Sequence, residues 1–412
     1  MTRASSSDFD LAIIGGGMVG ASLALALSGS RRRVLLVESI AADSSAQPSF
    51  DERTTALGNA SRRIFAGLGL WPALAPAAAA IRTIHVSDAG RFGFARLRAC
   101  EQGIDAFGYV LANRSIGSAL WQQLGRAPGI SLRVPAQISE LEITPARTSF
   151  CVEDAGGRRE RVSSQLLVAA DGAHSAVRAA AGIAAQVEDY QQVALVANVA
   201  ADQPHQDCAY ERFTAQGPLA LLPLADGSRA LIWACAPERA AQLLRLPPAE
   251  YLAQLQRQFG WRAGRFLRLG RRGSYPLALS RAATPTGVRT VVIGNAAQAL
   301  HPVAGQGFNL GLRDAAMLAE VLAGSGGDAG APQLLADFAA WRARDRAGVV
   351  RFTDGLIRLF GSRRAGVGAL RDLGLLLFDL SPPAKSALAR VSSGFGGPAP
   401  RLARGLSLQH DG

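Results

Sequence analysis

The stretch that most restricts what this chain can become is Asp10–Glu38. Asp10-Leu11-Ala12-Ile13-Ile14 is a short apolar strand that runs directly into Gly15-Gly16-Gly17-Met18-Val19-Gly20. A helix of small residues follows over Ala21–Ser28, then a second apolar strand, Val34–Val37, which ends on Glu38. Gly15, Gly17 and Gly20 occupy the three glycine positions of the βαβ turn that seats a dinucleotide pyrophosphate on a helix N-terminus. Glycines alone would be a weak signal. The strand before them, the helix after them and the acid closing the second strand make the match specific. A carboxylate at position 38 accepts ribose hydroxyls and repels a 2′-phosphate, so the site suits FAD or NAD rather than NADP. No second turn of this kind occurs downstream.

Two later strand ends carry polar turns. Arg289–Ile293 reads as a buried strand that stops at Gly294-Asn295; after a loop containing Pro302, Gly305-Gln306-Gly307 opens a helix that begins near Asn309 and runs past Glu320. Backbone N–H groups at such a start lack intrahelical partners and sit at the positive end of the helix dipole. They can hold a phosphate or a ring oxygen that gains negative charge. Glycines at 305 and 307 remove the side chains that would keep a flat ring away. An ordinary strand–loop–helix turn would explain Gly-x-Gly by itself. The other turn follows Leu166–Ala170, where Asp171-Gly172-Ala173-His174-Ser175 precedes a short helix at Val177-Arg178. Polar groups at the carboxyl edge of an open α/β sheet are where ligands bind. A plain helix N-cap explains Asp171 equally well in isolation.

The chain has 412 residues, which fits two domains or one large α/β unit with a substantial core. A 49% hydrophobic content argues against disorder. The formal charge of +12 is almost all arginine, Lys385 being the only lysine. The arginines are scattered in ones to threes, which argues against nucleic-acid binding. A basic surface would suit collection of anionic nucleotides or contact with anionic lipid headgroups. The four cysteines, Cys100, Cys151, Cys208 and Cys235, show neither C-x-x-C nor metal-ligand spacing. No metal site and no structural disulfide are expected. The polar start Met1–Asp10 lacks the apolar core of a signal peptide, and no apolar run approaches the ~20 residues of a bilayer span. A cytoplasmic location is expected.

Between these motifs, residues 51–80 read as a polar loop passing into an amphipathic helix with Ile64, Phe65, Leu68 and Leu70 on one side. Arg53 at the loop end could reach a phosphate or simply face solvent. Asn113-Arg114-Ser115 starts a helix to Leu124, and three short strands follow between Ser131 and Val162. Residues 186–285 change character. Val193–Ala200, Ala209–Phe213, Leu219–Leu224 and Ala230–Ala234 predict an antiparallel sheet, with a hairpin at Asp226-Gly227. A helix over Pro248–Phe259 and a strand over Ser274–Leu279 complete it. From residue 331 the pattern is helical, most apolar over Gly374–Leu380; packing on the core accounts for that run, and contact with a membrane or a greasy substrate is the sharper alternative.

Three separated segments now stand in one order: Gly15–Gly20 with Glu38, ADGAHSAVR around Asp171, and GNAAQALHPVAGQGFNLGLRDA. Together they resemble the single-component (class A) FAD-dependent aromatic hydroxylases, over nearly the whole chain. The stretches DERTTAL, TIHVSDAGRFG, YERFTAQGPLALLPL, FGWR and SYPLAL are similar to the ubiquinone-biosynthesis hydroxylases, above all the 2-polyprenyl-6-methoxyphenol hydroxylase family. The resemblance implies an α/β fold: a Rossmann-like FAD-binding domain, an inserted, mainly antiparallel substrate sheet and a C-terminal helical region. It divides the chain into FAD-binding parts 1–80, 111–185 and 286–330, substrate-domain parts 81–110 and 186–285, and C-terminal helices 331–412. It implies that Gly15, Gly16, Gly17, Met18, Val19 and Gly20 cradle the FAD pyrophosphate and that Glu38 binds the adenosine ribose. Arg53 and Arg114 match arginines that contact the cofactor. Asp171 matches a motif linked to FAD and to incoming NADPH or NADH. Pro302, Gly305, Gln306, Gly307 and Asn309 match the segment beside the flavin ring. Gly294-Asn295 departs from the wider superfamily, which has Gly-Asp there to bind the ribityl chain; Asn hydrogen-bonds a hydroxyl without the charge, and the ubiquinone-type hydroxylases share it.

The implied reaction is hydroxylation of a polyprenyl-methoxyphenol by O2 and NAD(P)H through a C4a-hydroperoxyflavin. Other ubiquinone-biosynthesis proteins and a membrane surface are the implied partners. No residue is assigned as the base that takes the phenol proton. His301 is nearest in sequence, although a loop histidine before proline is more often structural; His85, Tyr210 and Arg212 are weaker candidates. A sibling hydroxylase of another ring position or of a small aromatic acid, and a non-hydroxylating FAD-binding subunit, remain open.

Overall fold

The computed structural model describes residues 7–41, 44, 53–361, 374–375, 377–395, 397 and 399–408. Asp51 and Glu52 of the DERTTAL stretch, Met1–Ser6, residues 362–373 and Leu376 lie outside the described residues. The α/β class expected from the motifs is what forms.

The first sheet is built on five parallel strands. Ser7–Ile14 lies between Arg159–Ala169 and Val34–Val37; Thr290–Val292 extends one side and Ile130–Arg133 the other. Val34–Val37 is buried at every position, as a strand covered on both faces must be. The alternation in Leu11–Ile14 divides two cores. Leu11 and Ile13 face the layer holding helices Met18–Ala26 and Gln306–Ala323, while Ala12 and Ile14 face the opposite layer. Ala136–Ile143 and Thr148–Asp154 add an antiparallel flap to Arg159–Ala169.

The second sheet has nine strands. Gln298–Ala299, Gly273–Ala282, Ala185–Ala201, Arg229–Cys235, Gly217–Pro223 and Cys208–Thr214 are antiparallel neighbours, and Phe266–Leu269 pairs with Ala185–Ala201. Thr83–Asp88 joins Cys208–Thr214 in parallel, and Phe94–Arg98 forms the edge. Helix Pro248–Phe259 covers one face, burying Tyr251, Leu255 and Phe259 against Leu219, Leu221, Leu231 and Trp233. Its bounds are those the amphipathic pattern predicts. A small third sheet joins Thr54–Gly58, Gly108–Ala112 and Ala79–Ile81.

Several boundaries differ from the expectations. The first helix begins at Met18 rather than Ala21, because the glycine turn itself caps it. The helix expected near Asn309 starts at Gln306, after a 3-10 turn over Val303–Gly305. The last of the three short strands and Leu166–Ala170 are one strand, Arg159–Ala169, whose outer half pairs with the flap. The loop read from residue 51 contains a strand, Thr54–Gly58, made by pairing with distant Gly108–Ala112. Helix Pro237–Arg245 was not anticipated, although Pro at its first position and Glu238 beside it are ordinary start signals. Val193–Ala200 is the C-terminal half of a longer strand, Ala185–Ala201, bulged between Asp189 and Gln192. Among the described residues, no helix is long and apolar enough to cross a membrane.

Candidate active site

Register places the motifs on one edge. Ile14 is level with both Val37 and Ala169, and Ala169 is level with Val292. Gly15, Glu38, Asp171 and Gly294 therefore leave the carboxyl ends of four neighbouring parallel strands side by side. Such an edge, where neighbouring crossovers diverge, is the favoured ligand crevice of open α/β sheets.

A cavity of about 1060 Å³ opens between this edge and the second sheet. Gly15, Gly17, Met18, Val19, Glu38, Arg53, Asp171, Gly294, Asn295 and Gly307 all line it. Across from them stand Val196, Asn198, Ile232 and Tyr275 of the second sheet and Arg271 of the loop before strand Gly273–Ala282, none of which the sequence reading singled out. The Arg53 guanidinium lies 5.5 Å from the centre of the Tyr275 ring and ties the two walls together.

The glycines divide by what surrounds them. A Cβ on Gly15, whose φ is +106°, would lie 2.5 Å from the Ala170 carbonyl oxygen, and one on Gly20 would lie 2.0 Å from that of Gly15. These two let backbone approach backbone. Gly17 and Gly307 would meet nothing within 4 Å. They leave open a cradle that a side chain would fill, which is what a bound pyrophosphate and a flat ring require.

Glu38 is buried, and its carboxylate accepts the N–H groups of Gly16 (2.6 Å) and Ile40 (2.9 Å). It fixes the glycine turn and, with further lone pairs, can still accept from a ribose. The N-cap of the short helix is Ser175, whose Oγ accepts from the Arg178 N–H at 2.9 Å; Asp171 braces it, accepting from Ser175 Oγ and from the Val177 N–H at 3.2 Å, while also lining the cavity. Arg178 donates to the carbonyls of Ala173 (3.2 Å) and Ala296 (2.9 Å), clamping this turn to the Gly294–Ala296 turn.

The remaining residues proposed from sequence stand behind the lining. Asn309 uses its whole amide: Oδ1 accepts from the Gly58 N–H (2.8 Å) and Ser61 Oγ (2.7 Å), and Nδ2 donates to the Ala56 (2.8 Å) and Gly305 (2.7 Å) carbonyls. All its hydrogen-bonding positions are spent on protein, so it shapes the helix start instead of touching a ligand through its side chain. Pro302, Gly305 and Gln306 belong to the same turn, and Arg114 sits on the exposed side of helix Asn113–Leu124, outside the lining.

Sequence reasoning missed the support beneath Gly294. Asp314 is buried and accepts from the Gly294 N–H (3.1 Å), Gln298 Nε2 (2.8 Å) and Arg342 Nε (2.6 Å). Asp345 pairs with Arg313 at 2.8 Å and with Arg342 at 2.5 Å. Burial works against the Arg342 charge, but Asp314 and Asp345 outweigh it and hold the guanidinium above its ordinary range. Burial likewise pushes the Asp345 carboxyl up, and Arg313 and Arg342 outweigh it, holding the carboxyl below the usual range. The signal was an Arg-Asp pair, Arg313-Asp314, inside an otherwise apolar helix.

None of the candidate bases is delivered to the cavity. Register puts His85 and Tyr210 level with Leu221 and Leu231, on the face covered by helix Pro248–Phe259. Tyr210 meets Phe259 edge-on at 5.4 Å, and Arg212 Nε donates to the Gln258 carbonyl at 3.1 Å. Burial pushes Tyr210 up to about 12. His301 is 1% exposed; its Nδ1 accepts from the Val303 N–H (3.2 Å) and its Nε2 faces Gln192 Oε1 (3.3 Å), so it pins the turn before the Gly305–Gly307 helix start. That is the structural role anticipated for a histidine before proline.

Both buried histidines make stability depend on pH. Burial lowers His301 from 6.5 to about 4, and burial reinforced by Arg262 lowers His85 to about 4. Their folded pKa values lie below the unfolded ones, so the unfolded chain binds more protons in between. The stability is fully present above pH 6.5 and is lost as pH falls toward about 4, on the order of 3 kcal/mol for each histidine. Melting temperature followed from pH 7 to 4.5 should fall through this window, and His301→Asn should flatten the slope; an unchanged slope would contradict the burial argument.

The chain matches the family described as FAD binding domain over residues 8–353. It is 35% identical to ubiquinone hydroxylase UbiL of Rhodospirillum rubrum, across 99% of this chain and 95% of that protein. The chain belongs to the FAD-binding monooxygenase family. Another relative, the 3-demethoxyubiquinol 3-hydroxylase of Escherichia coli, is 34% identical across 76% of this chain and 79% of its own length. Among solved structures, p-nitrophenol 4-monooxygenase PnpA of Pseudomonas putida has a TM-score of 0.78, covering 95% of this chain and 99% of that one. At 18% identity this is a likeness of fold alone. The family membership supplies the chemistry, FAD with O2, for which the open glycine cradle at the sheet edge is suited.

Proposed function

We propose that this protein hydroxylates the aromatic ring of a polyprenyl-methoxyphenol in ubiquinone biosynthesis, using FAD, O2 and NADPH or NADH. One observation carries the reading: the glycine turn, the Asp171 turn and the helix start at Gly307 share one cavity, roofed by the second sheet. The overall reaction consumes one O2, one NAD(P)H and one proton, places one oxygen on the ring and releases the other as water. When bound, FAD supplies the electron transfer and oxygen activation that side chains lack.

The chain's own residues hold, orient and shield. The Gly15 and Gly16 amides are spent on Val37 and Glu38, so the amides at Gly17 and the start of helix Met18–Ala26 hold the pyrophosphate, and Glu38 accepts from the ribose. Asn295 projects at the cavity wall to hydrogen-bond the ribityl hydroxyls. The backbone at Gly307, which lines the cavity, would present the positive end of helix Gln306–Ala323 to a ring oxygen that gains charge. Val196, Ile232 and Tyr275 keep water from the reacting face. In this reading, residues 1–80, 111–185 and 286–330 form the FAD-binding part, 81–110 and 186–285 the substrate part, and 331–412 the C-terminal helices. The phenol proton leaves without an assigned protein base.

The test is purification followed by flavin analysis and NAD(P)H oxidation with and without a short-chain 2-prenyl-6-methoxyphenol. Bound FAD and phenol-stimulated oxidation are expected. Oxidation that yields only peroxide would move the reading to another aromatic substrate, and absence of both flavin and oxidation would overturn it.

A further inference from the structure

Nine large apolar side chains stand exposed among the described residues, and five of them gather at one edge of the second sheet. The edge strand is Phe94–Arg98, preceded by Phe92; these phenylalanines are 37% and 74% exposed respectively. The Arg96 N–H donates to Asp379 Oδ1 at 2.8 Å, fastening the C-terminal segment with Leu377 (57% exposed) and Leu380 (70%) to that edge. The Arg262 guanidinium lies 5.7 Å from the centre of the Phe94 ring and brings its neighbour Trp261, 70% exposed, to the same place.

The charge around this patch is positive. Three carboxylates near it each have a cation: Asp88 with Arg91 at 3.7 Å, Glu101 with Arg98 at 3.4 Å and Asp379 with Lys385 at 2.9 Å. Arg96 and Arg262 are in excess, in a chain whose net charge is +12. Below the patch an apolar layer leads inward. Phe378, Leu388 and Ala389 of the C-terminal segment belong to one apolar cluster with Leu97, Ala209 and Ala230, and Ala230 lines the cavity.

We propose that this edge docks on an anionic lipid bilayer, and that the layer beneath the C-terminal helix is the route of a prenyl tail to the cavity. The route rests on the prenyl-phenol reading above; the docking does not. Side chains that project singly from a loop tip, a strand edge and a helix end suit insertion between headgroups better than closure on a grooved protein partner. Aromatic rings beside arginines are the composition that settles at a bilayer interface. A prenyl chain leaving the bilayer along apolar side chains need never enter water, which is costly for every methylene exposed.

The test is co-sedimentation of the full chain with phosphatidylcholine vesicles, with and without phosphatidylglycerol. Wild type should sediment with the anionic vesicles. The triple variant Phe92→Ser, Trp261→Ser, Leu380→Ser should bind at least ~10-fold more weakly, and a Val187→Ser, Val288→Ser control should match wild type. Melting temperature and flavin content should be the same in all three. Wild type remaining in the supernatant, or the triple variant sedimenting equally, would overturn the proposal. So would a wild-type dimer that the triple variant abolishes without any vesicle binding, which would assign the patch to a second copy of the chain. Turnover of a water-soluble short-chain phenol should be unaffected by the triple substitution. Patch-dependent sedimentation in a protein that hydroxylates no prenyl-phenol would sustain the docking and remove only the substrate reading.

Discussion

Asp314→Ala is expected to lower stability by ~3–5 kcal/mol, because it strands a guanidinium in the core. Arg342 is 1% exposed, and Asp314 and Asp345 are the carboxylates that balance Arg313 and Arg342. With Arg346 also within reach of Asp314, the arginines already outnumber the two carboxylates; removing one anion leaves a buried positive charge that water cannot reach. The same change takes the acceptor from the Gly294 N–H and from Gln298, loosening the turn that carries Asn295. Melting should fall by about 3–6 °C in a chain of 412 residues, and FAD affinity should fall with it. Asp314→Asn, which keeps the shape and loses the charge, should lie between. Asp328→Ala is the control: the Arg289 side chain is 11% exposed but Asp328 is 42% exposed, so water can take the carboxylate's place, and a loss of roughly 1 kcal/mol is expected. Equal losses at positions 314 and 328 would show that the buried network carries no special share of the stability.

Gly17→Val should cost FAD affinity about 100-fold, or ~3 kcal/mol, while leaving the melting temperature of the ligand-free protein within about 1 °C. Nothing lies within 4 Å of a Cβ at Gly17, and its φ of −61° suits any side chain, so only a ligand would meet the new atoms. Gly20→Ala should behave in the opposite way. Its methyl would sit 2.0 Å from the Gly15 carbonyl oxygen, and backbone on both sides cannot yield as a flexible side chain would. A loss of at least ~3 kcal/mol is expected, seen as reduced soluble yield and early melting. Calorimetric FAD titration and thermal melts on both variants separate the two roles. A Gly17→Val protein that binds FAD as wild type does would remove the glycine turn from the cofactor site.

What was legible in the sequence was local. The glycine turn, the acid closing the second strand and helix Pro248–Phe259 are specified by neighbours within a few residues, where spacing and period speak directly. Strand Thr54–Gly58 was not legible, since its residues are half-buried and become a strand only by pairing with Gly108–Ala112. The Asp314–Arg342 pair joins two helices, and no local pattern announces a partner that distant. Strand parity could have separated Tyr210 and Arg212 from Ala209 and Glu211. Which parity meets the cavity is decided by helix Pro248–Phe259 covering the other face, a packing choice that alternation alone does not contain. Glu38, Asp171 and Asn309 were picked out for ligand contact; Glu38 and Asp171 line the cavity and also hold a turn in place, whereas the Asn309 side chain only holds its turn. Residues at a site built from turns commonly do both, because the loop must be fixed before it can bind.

The measurement that bears most directly on the central claim is mass spectrometry of the product formed from purified protein, NADPH, oxygen-18 gas and a short-chain 2-prenyl-6-methoxyphenol. One labelled oxygen on the ring for each NADPH consumed is the expected result. A product carrying no label, or NADPH consumed with the phenol unchanged, would contradict a hydroxylase of this substrate class.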